Sequence, residues 1–341
     1  MTDWGTARPQ PGDHKPEVRL FTAQDAESTE TLWSAVFHRT RSKNLWRWLY
    51  DENPAGAALR AVAVVDGQVV AHAALVPRRF VFAETLLNGG LSIDAMTAVS
   101  WRRQGLNRRL WAVLESEIVR HNLAFIFGFS NENSTAGAQT YQGRQPIHPF
   151  PLLVRPIVGV RSTLAMCRPT SWNDPASSER IPDDFFHVGS DWRGASGLRP
   201  VVDKTYALWR YGRPDGLYRW ASVVHSGRTV ACGAVAFRRQ WGLRAAFLMH
   251  TKAETALAYQ ALVGKLIRRS TDAGAVVMVA LAHFGTAEHR ALQKVGFISV
   301  PDRLKMEQIS LSFRLLAPAN QAGVTLDPKL LQIGWAEHDL L

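Results

Sequence analysis

Hydrophobic and polar positions along the chain fall into two periods. Around Asp66-Gly67-Gln68 the apolar residues form short β-rich runs, Arg60 to Val65 before the turn and Val69 to Val76 after it. A Gly-containing turn between such runs predicts a hairpin. Ser226-Gly227-Arg228 lies in the same way between Trp220 to Val224 and Thr229 to Phe237. From Leu106 the period changes: Leu106, Leu110, Val113, Leu114 and Ile118 recur at three- and four-residue spacing, which predicts a helix with one apolar face. The apolar runs Ala124 to Phe129 and Ala275 to Leu281 predict strands, and each precedes a helical stretch that closes on a glycine, Gly143 or Gly296.

These elements come twice in the same order. Sliding the chain by about 160 residues brings Trp48-Leu49-Tyr50 with Pro54 onto Trp209-Arg210-Tyr211 with Pro214, and Asp66 to Ala71 onto Ser226 to Ala231. Self-similarity at a fixed offset is the mark of duplicated units. Each half mixes paired strands with helices and so reads as an α/β (α+β) unit with a partly antiparallel sheet. The segment from Arg161 to Pro200 is rich in Ser, Pro, Asp and Gly and has little apolar periodicity, as a linker requires. The expected division is a tail over 1–16, a first unit over 17–160, a linker over 161–200 and a second unit over 201–341.

Composition adds limits. A chain of 341 residues with 46% hydrophobic and 20% charged residues, 25 Gly and 17 Pro is that of a folded globular protein long enough for two domains. No apolar run approaches the ~20 residues of a membrane-spanning helix, and the first residues are polar with no signal-peptide core, so the expected location is cytoplasmic. Cys167 and Cys232 are the only cysteines, too few for a disulfide framework or a four-cysteine zinc site, and no metal is expected. The net charge of +11 is uneven: residues 1–43 hold 6 basic and 6 acidic side chains, 44–203 hold 16 and 14, and 204–341 hold 18 and 9. The surplus belongs to the last part of the chain, either as a solvated face or as a site for anions. No run of five basic residues occurs, so nucleic acid is not indicated as a partner. Oligomeric state is open, a homo-oligomer included.

The segment with most chemistry runs from Leu91 to Arg120, with Ser92 to Val99 as its expected strand. A β-rich stretch enters Trp101-Arg102-Arg103-Gln104-Gly105-Leu106-Asn107-Arg108-Arg109 and then the predicted helix. The first N–H groups of a helix have no intrahelical partner and lie at the positive end of its dipole, so a strand, a Gly-containing turn and a helix N-terminus make an anion site. Gly105 would let a ligand approach the backbone, and four arginines add positive charge.

Arg102-x-x-Gly105-x-Asn107 resembles the Arg/Gln-x-x-Gly-x-Gly/Ala signature of the GNAT superfamily, the Gcn5-related N-acyltransferases, with Asn in place of the last small residue. Phe127-Gly128-Phe129-Ser130-Asn131-Glu132-Asn133-Ser134 resembles a Gly-Phe-Pro-Asn-Glu-Asn-Ser segment of a bacterial branch of that superfamily in which a degenerate second unit follows the first. Trp46 to Tyr50 with Asn53-Pro54-Ala55-Gly56 is similar to the entry of the same branch, and Leu152-Leu153-Val154-Arg155-Pro156 to the exit from its first unit. The turn matching the signature in the second half, Lys252-Ala253-Glu254-Thr255-Ala256, lacks it.

The resemblance implies two tandem GNAT-like units, each a mixed, mostly antiparallel sheet flanked by helices. It implies an N-acyltransferase that moves an acyl group, acetyl in the simplest case, from acyl-CoA to a primary amine. The acceptor would be a small molecule, and the basic second half points to an anionic one, such as an amino sugar or amino acid derivative. Coenzyme contacts would come from Ala98, Val99, Arg102, Arg103, Gln104, Gly105, Leu106, Asn107, Arg108 and Asn133. Backbone N–H groups from Asp94 to Val99 would hold the pantetheine and the oxyanion. Glu132 and Asp94 are the candidate bases, with helix capping and an edge-strand position as their ordinary readings. Tyr141 is the candidate acid for the leaving thiolate, although it is two residues out of register, Gln139 holding the expected place. Two other readings stand beside this one: aminoacyl transfer from charged tRNA, as in Fem-type ligases, and a non-catalytic coenzyme-sensing or partner-binding module.

Other chemistries fit poorly. Gly128-x-Ser130 lacks the second Gly of a nucleophile elbow. The eleven histidines show no His-Glu-x-x-His pattern. Trp46, Trp48, Trp209 and Trp220 sit in the repeated framework and read as core anchors.

Overall fold

The computed structural model describes residues 15–157, 180–189, 192–193, 197–216, 218–240, 242–301, 303 and 309–338. Cys167, nearly all of the expected tail and most of the expected linker lie outside these residues. The chain forms two compact units, one of Met1–Phe80, Leu86–Pro146 and Ile309–Gly323, the other of Val81–Thr85, Ile147–Gln308 and Val324–Leu341.

The first part of the chain supplies β1 (Glu17–Leu20), α1 (Ala26–Phe37), α2 (Lys43–Tyr50), β2 (Leu59–Val65), β3 (Gln68–Phe82), β4 (Thr85–Thr97), α3 (Leu106–Arg120), β5 (Phe125–Ser130), α4 (Glu132–Gln142) and β6 (Gln145–Pro146). There follow β7 (Leu152–Pro156), α5 (Asp184–His187), β8 (Leu198–Pro200), α6 (Lys204–Tyr211), β9 (Tyr218–His225), β10 (Arg228–Gln240), β11 (Leu243–Ala253), α7 (Ala256–Asp272), β12 (Val277–Leu281), α8 (Ala287–Lys294), β13 (Ile298–Ser299), β14 (Ser310–Leu315) and α9 (Ala317–Gln321). Two mixed sheets result, in the orders β1-β2-β3-β4-β5-β14-β6 and β13-β7-β12-β11-β10-β9. This is a mixed α/β architecture with helices against both sheets.

Both predicted hairpins form. Asp66 and Gly67 (φ 50° and 76°) and Ser226 and Gly227 (φ 50° and 73°) give each turn two left-handed residues, the type I′ geometry that matches strand twist. Each hairpin then carries a bulge at the same place, between Ala63 and Val64 on the β2–β3 ladder and between Thr229 and Ala231 on the β9–β10 ladder. The apolar face of α3 (Leu106, Leu110, Trp111, Leu114, Ile118) packs on Ala61, Ala63, Ala71 and Ala73, small side chains that let the helix lie close. In the second unit α7 places Tyr259, Leu262, Val263 and Leu266 against Ala231, Val235 and Ala246 in the same manner. No helix of the described residues is long and apolar enough to cross a membrane.

The units do not divide at residue 160. Leu152–Pro156, expected to leave the first unit, pairs along its whole length with β12 of the second sheet. β14, expected in the second unit, returns to pair with β5, from Ser310↔Ser130 to Leu315↔Phe125. An edge strand takes whichever partner offers unpaired backbone groups, and Phe313 is drawn to the Phe80, Phe125 and Phe127 cluster. The described end of the expected linker is also structured: Phe185 is fully buried against Trp220, and Leu198 is fully buried.

Candidate active site

β4 and β5 pair in parallel from Gly89↔Phe125 to Leu91↔Phe127. Beyond Leu91 and Phe127 they run on, to Thr97 and Ser130, with no ladder between them. The divergence leaves β4 backbone groups open for a ligand, since a strand without a neighbour presents unpaired N–H and C=O groups.

Asp94 sits in this free stretch with φ 46°, an uncommon conformation that Asp tolerates better than most residues. Its side chain is buried and engaged from three sides. Arg41 donates to both oxygens (2.6 and 3.4 Å), Trp33 Nε1 donates to Oδ1 (3.2 Å), and the Tyr50 hydroxyl donates to Oδ2. Burial pushes the carboxyl upward, but the Arg41 charge and these hydrogen bonds outweigh it and hold Asp94 below the ordinary carboxylate value. The Arg41 guanidinium is itself clasped by the rings of Trp33 and Trp46, 4.4 and 4.9 Å from their centroids. His72 Nδ1 lies 3.0 Å from the Asp94 carbonyl, and since a carbonyl only accepts, that nitrogen carries the proton. Burial lowers His72 to about 4, so it is neutral. Asp94 is therefore a charged carboxylate held by three side chains at the left-handed point of β4. Trp33 and Arg41 were not singled out by the sequence; Tyr50 was, as part of a repeated tripeptide.

After β4 the chain enters the basic turn. The expected strand to Val99 ends at Thr97, because Val99–Trp101 forms a 3-10 turn; Ala98 is buried and donates to the Val70 carbonyl (2.9 Å), whereas Val99 is 72% exposed. Arg102 folds back onto the Thr97 carbonyl (3.2 Å) and Gln104 onto that of Ser100 (3.3 Å). Arg103 (φ 64°) and Gly105 (φ 71°) are both left-handed, the kind of backbone found in anion-binding turns. The first backbone bond into α3 is Arg109 N–H to Gly105 O at 3.2 Å. Among the described residues the N–H groups of Arg103 to Arg108 have no acceptor. A Cβ on Gly105 would meet nothing within 4 Å, so the space over the turn is open.

Across from this turn lies α4. Asn131 caps it by accepting from the Ser134 N–H (3.1 Å). Glu132 and Asn133 are thus the first exposed residues of the helix, and neither is the cap. Asn107 reaches across to Gly137, where an added Cβ would stand 3.1 Å from Asn107 Nδ2. This accounts for a glycine one turn before Tyr141, which is 41% exposed. Gln142 at the far end meets Ser92 Oγ (3.2 Å) beside the last paired residue of β4. Helix α4 therefore spans the divergence from mouth to root. At ~1.5 Å per residue, Glu132 and Tyr141 lie roughly 13 Å apart along it.

A diverging mixed sheet thus delivers a turn of free N–H groups onto a helix N-terminus, a geometry that favours anions. Residues 17–136, which hold the turn, the kinked strand and the start of α4, match the acetyltransferase (GNAT) domain. The fold of the chain is similar to that of a conserved protein from Enterococcus faecalis described as a probable N-acyltransferase (12% identity, 88% of this chain and 73% of that one, TM-score 0.58). It is also similar to Saccharomyces cerevisiae N-myristoyltransferase with bound myristoyl-CoA (10% identity, 90% and 84%, TM-score 0.58). Comparison with curated proteins finds no match.

Proposed function

We propose that the protein is an N-acyltransferase that uses an acyl-CoA as donor and a small primary amine as acceptor. One observation carries this reading: the unpartnered N–H groups of Arg103 to Arg108 under open space at Gly105, at the end of a strand with free backbone groups. Those N–H groups and the exposed arginines of the turn would receive the coenzyme's pyrophosphate, and the β4 backbone would receive the pantetheine and then the oxyanion. The amine nitrogen attacks the thioester carbonyl, the C–S bond breaks, the nitrogen loses a proton and the thiolate gains one. We assign proton removal to Glu132, exposed at the mouth where an acceptor enters, and a place beside the thiol to Tyr141. Asp94 acts through β4, as a positioning residue. The repeated hairpin and bulge favour duplication, with a second unit that has lost its coenzyme turn.

The test is calorimetric titration with acetyl-CoA, with desulfo-CoA as the chain-free control. Gly105→Val forces a β-branched residue to φ 71°, a conformation costing about 1–2 kcal/mol, and closes the turn to the ligand. Binding at least about tenfold weaker, or 1.4 kcal/mol, with an unchanged circular dichroism spectrum is expected. Equal affinity in that variant overturns the assignment of the turn.

A further inference from the structure

The second unit keeps the strand divergence of the first. β11 and β12 pair in parallel from Ala245↔Val277 to Phe247↔Val279 and then separate. The coenzyme turn, however, is missing. Glu254 N–H bonds the Val230 carbonyl (3.0 Å), as Ala98 N–H bonds Val70, but the helix then starts after the single residue Thr255, whose Oγ1 caps it by accepting from Ala258 N–H (3.1 Å). The Glu254 carboxylate stands beside this helix end, paired with Arg228.

Between the separated strands lies a cavity of about 620 Å³, the size of a small-ligand site. Leu248 to Lys252 of β11 and Leu281 to His283 at the end of β12 line it, together with Phe185, Lys329 and the segment from Leu331 to Gly334. Its acids are already engaged. Glu288 takes Arg193 (3.0 Å) and the Tyr259 hydroxyl (2.9 Å), Glu337 takes His250 (2.7 Å), and Asp203 caps α6 on Tyr206 N–H (2.8 Å). Two of its cations are not: Arg199, with a buried Nε lacking any acceptor, and Lys329 have no carboxylate partner among the described residues. A chamber lined by both apolar and polar side chains, with positive charge that no carboxylate neutralises, favours an anion on an apolar body.

We propose that this cavity is a second ligand site, taking a small amphipathic anion, a carboxylate or a phosphate monoester, whose head meets Arg199 and Lys329 and whose body packs on Phe185, Leu248 and Leu281. The inference does not depend on the acyltransferase reading, because it concerns a cleft without a coenzyme turn. Calorimetry on the full chain with octanoate, octyl phosphate, octan-1-ol and octylamine tests it. Octanoate or octyl phosphate binds at least about tenfold more tightly than the alcohol and the amine, and the better of the two anions identifies the head group. Arg199→Met with Lys329→Met removes that preference while acetyl-CoA titration is unchanged. Ala287→Trp, which fills the cavity from a half-buried position on α8, abolishes binding of all four compounds and guards against misfolding of the double variant. Equal binding of alcohol and anion, or an undiminished preference in the double variant, overturns the proposal.

Discussion

Replacing Arg41 with methionine tests whether the kink at Asp94 is held by charge. The guanidinium is buried (7% exposed) against an equally buried carboxylate (6%) at 2.6 Å, and breaking a buried pair by removing one partner costs about 3–5 kcal/mol. Two features bracket the value. Trp33 Nε1 and the Tyr50 hydroxyl still donate to Asp94, which favours the lower end, whereas loss of the contacts with Trp33 and Trp46 removes about 0.5–1 kcal/mol each. We expect a loss of about 3–4 kcal/mol at pH 7, read by urea unfolding with tryptophan fluorescence, for which Trp33 and Trp46 are local reporters. The pH dependence gives the sign. In the native protein Asp94 lies below the ordinary value of 3.8, so its contribution is present above pH 3.8 and is lost as the pH falls through its folded value. Without Arg41, burial dominates and raises the carboxyl, so the variant takes up a proton on folding and gains stability as the pH falls. The gap between the two proteins should narrow from pH 7 to pH 4.5, and adding Asp94→Asn should recover part of the loss. A loss below about 1 kcal/mol, or a gap that is constant with pH, refutes the argument.

Two further substitutions probe the charges of the first unit. Asp25 accepts from Arg19 (2.7 and 2.8 Å) and from Thr22, and the Arg19 bonds lower it to about 2; Asp25→Asn should destabilise by about 1–2 kcal/mol near pH 7 and by progressively less as the pH falls from 4 toward 2, followed by urea midpoints across that range. Arg144 is buried over Gly128, donates to Ser130 Oγ (3.0 Å), has no acceptor at Nε or Nη1 among the described residues, and has a value drawn down by burial to about 10. Since an uncompensated buried charge is costly, Arg144→Met should raise the thermal midpoint by a few degrees, and a lower midpoint would mean that the guanidinium has a partner in solution.

What was legible in the sequence was local. The type I′ turns, the apolar face of α3, the helix closed at Gly143 (φ 64°) and the Arg102 to Asn107 turn each depend on residues within a few positions of one another, where periodicity and turn chemistry act. What was missed is long-range. Asp94 meets partners 44, 53 and 61 residues away, and no spacing rule connects a strand carboxylate with an arginine between two helices. The exchange of β7 and β14 escaped for a related reason: alternation identifies a strand without naming its sheet. Val99 was placed in the strand because its β-branched side chain reads as strand, while the backbone has already turned at Val99–Trp101.

The repeated tyrosine shows how one framework carries two chemistries. In the first unit Tyr50 donates to the Asp94 side chain, and the strand there is left-handed. In the second, Tyr211, the match of Tyr50 in the repeated tripeptide, accepts from the backbone N–H of His250 at 3.1 Å, and His250 is not among the left-handed residues. A hydroxyl both donates and accepts, so the same helix position serves either arrangement. The consequences differ. Donating to a side chain engages no backbone group of β4, and the left-handed backbone at Asp94 is of a kind that persists only where surrounding structure holds it; accepting from the His250 N–H occupies a backbone group of β11. The two units therefore differ in whether the strand offers the tyrosine a carboxylate or an amide.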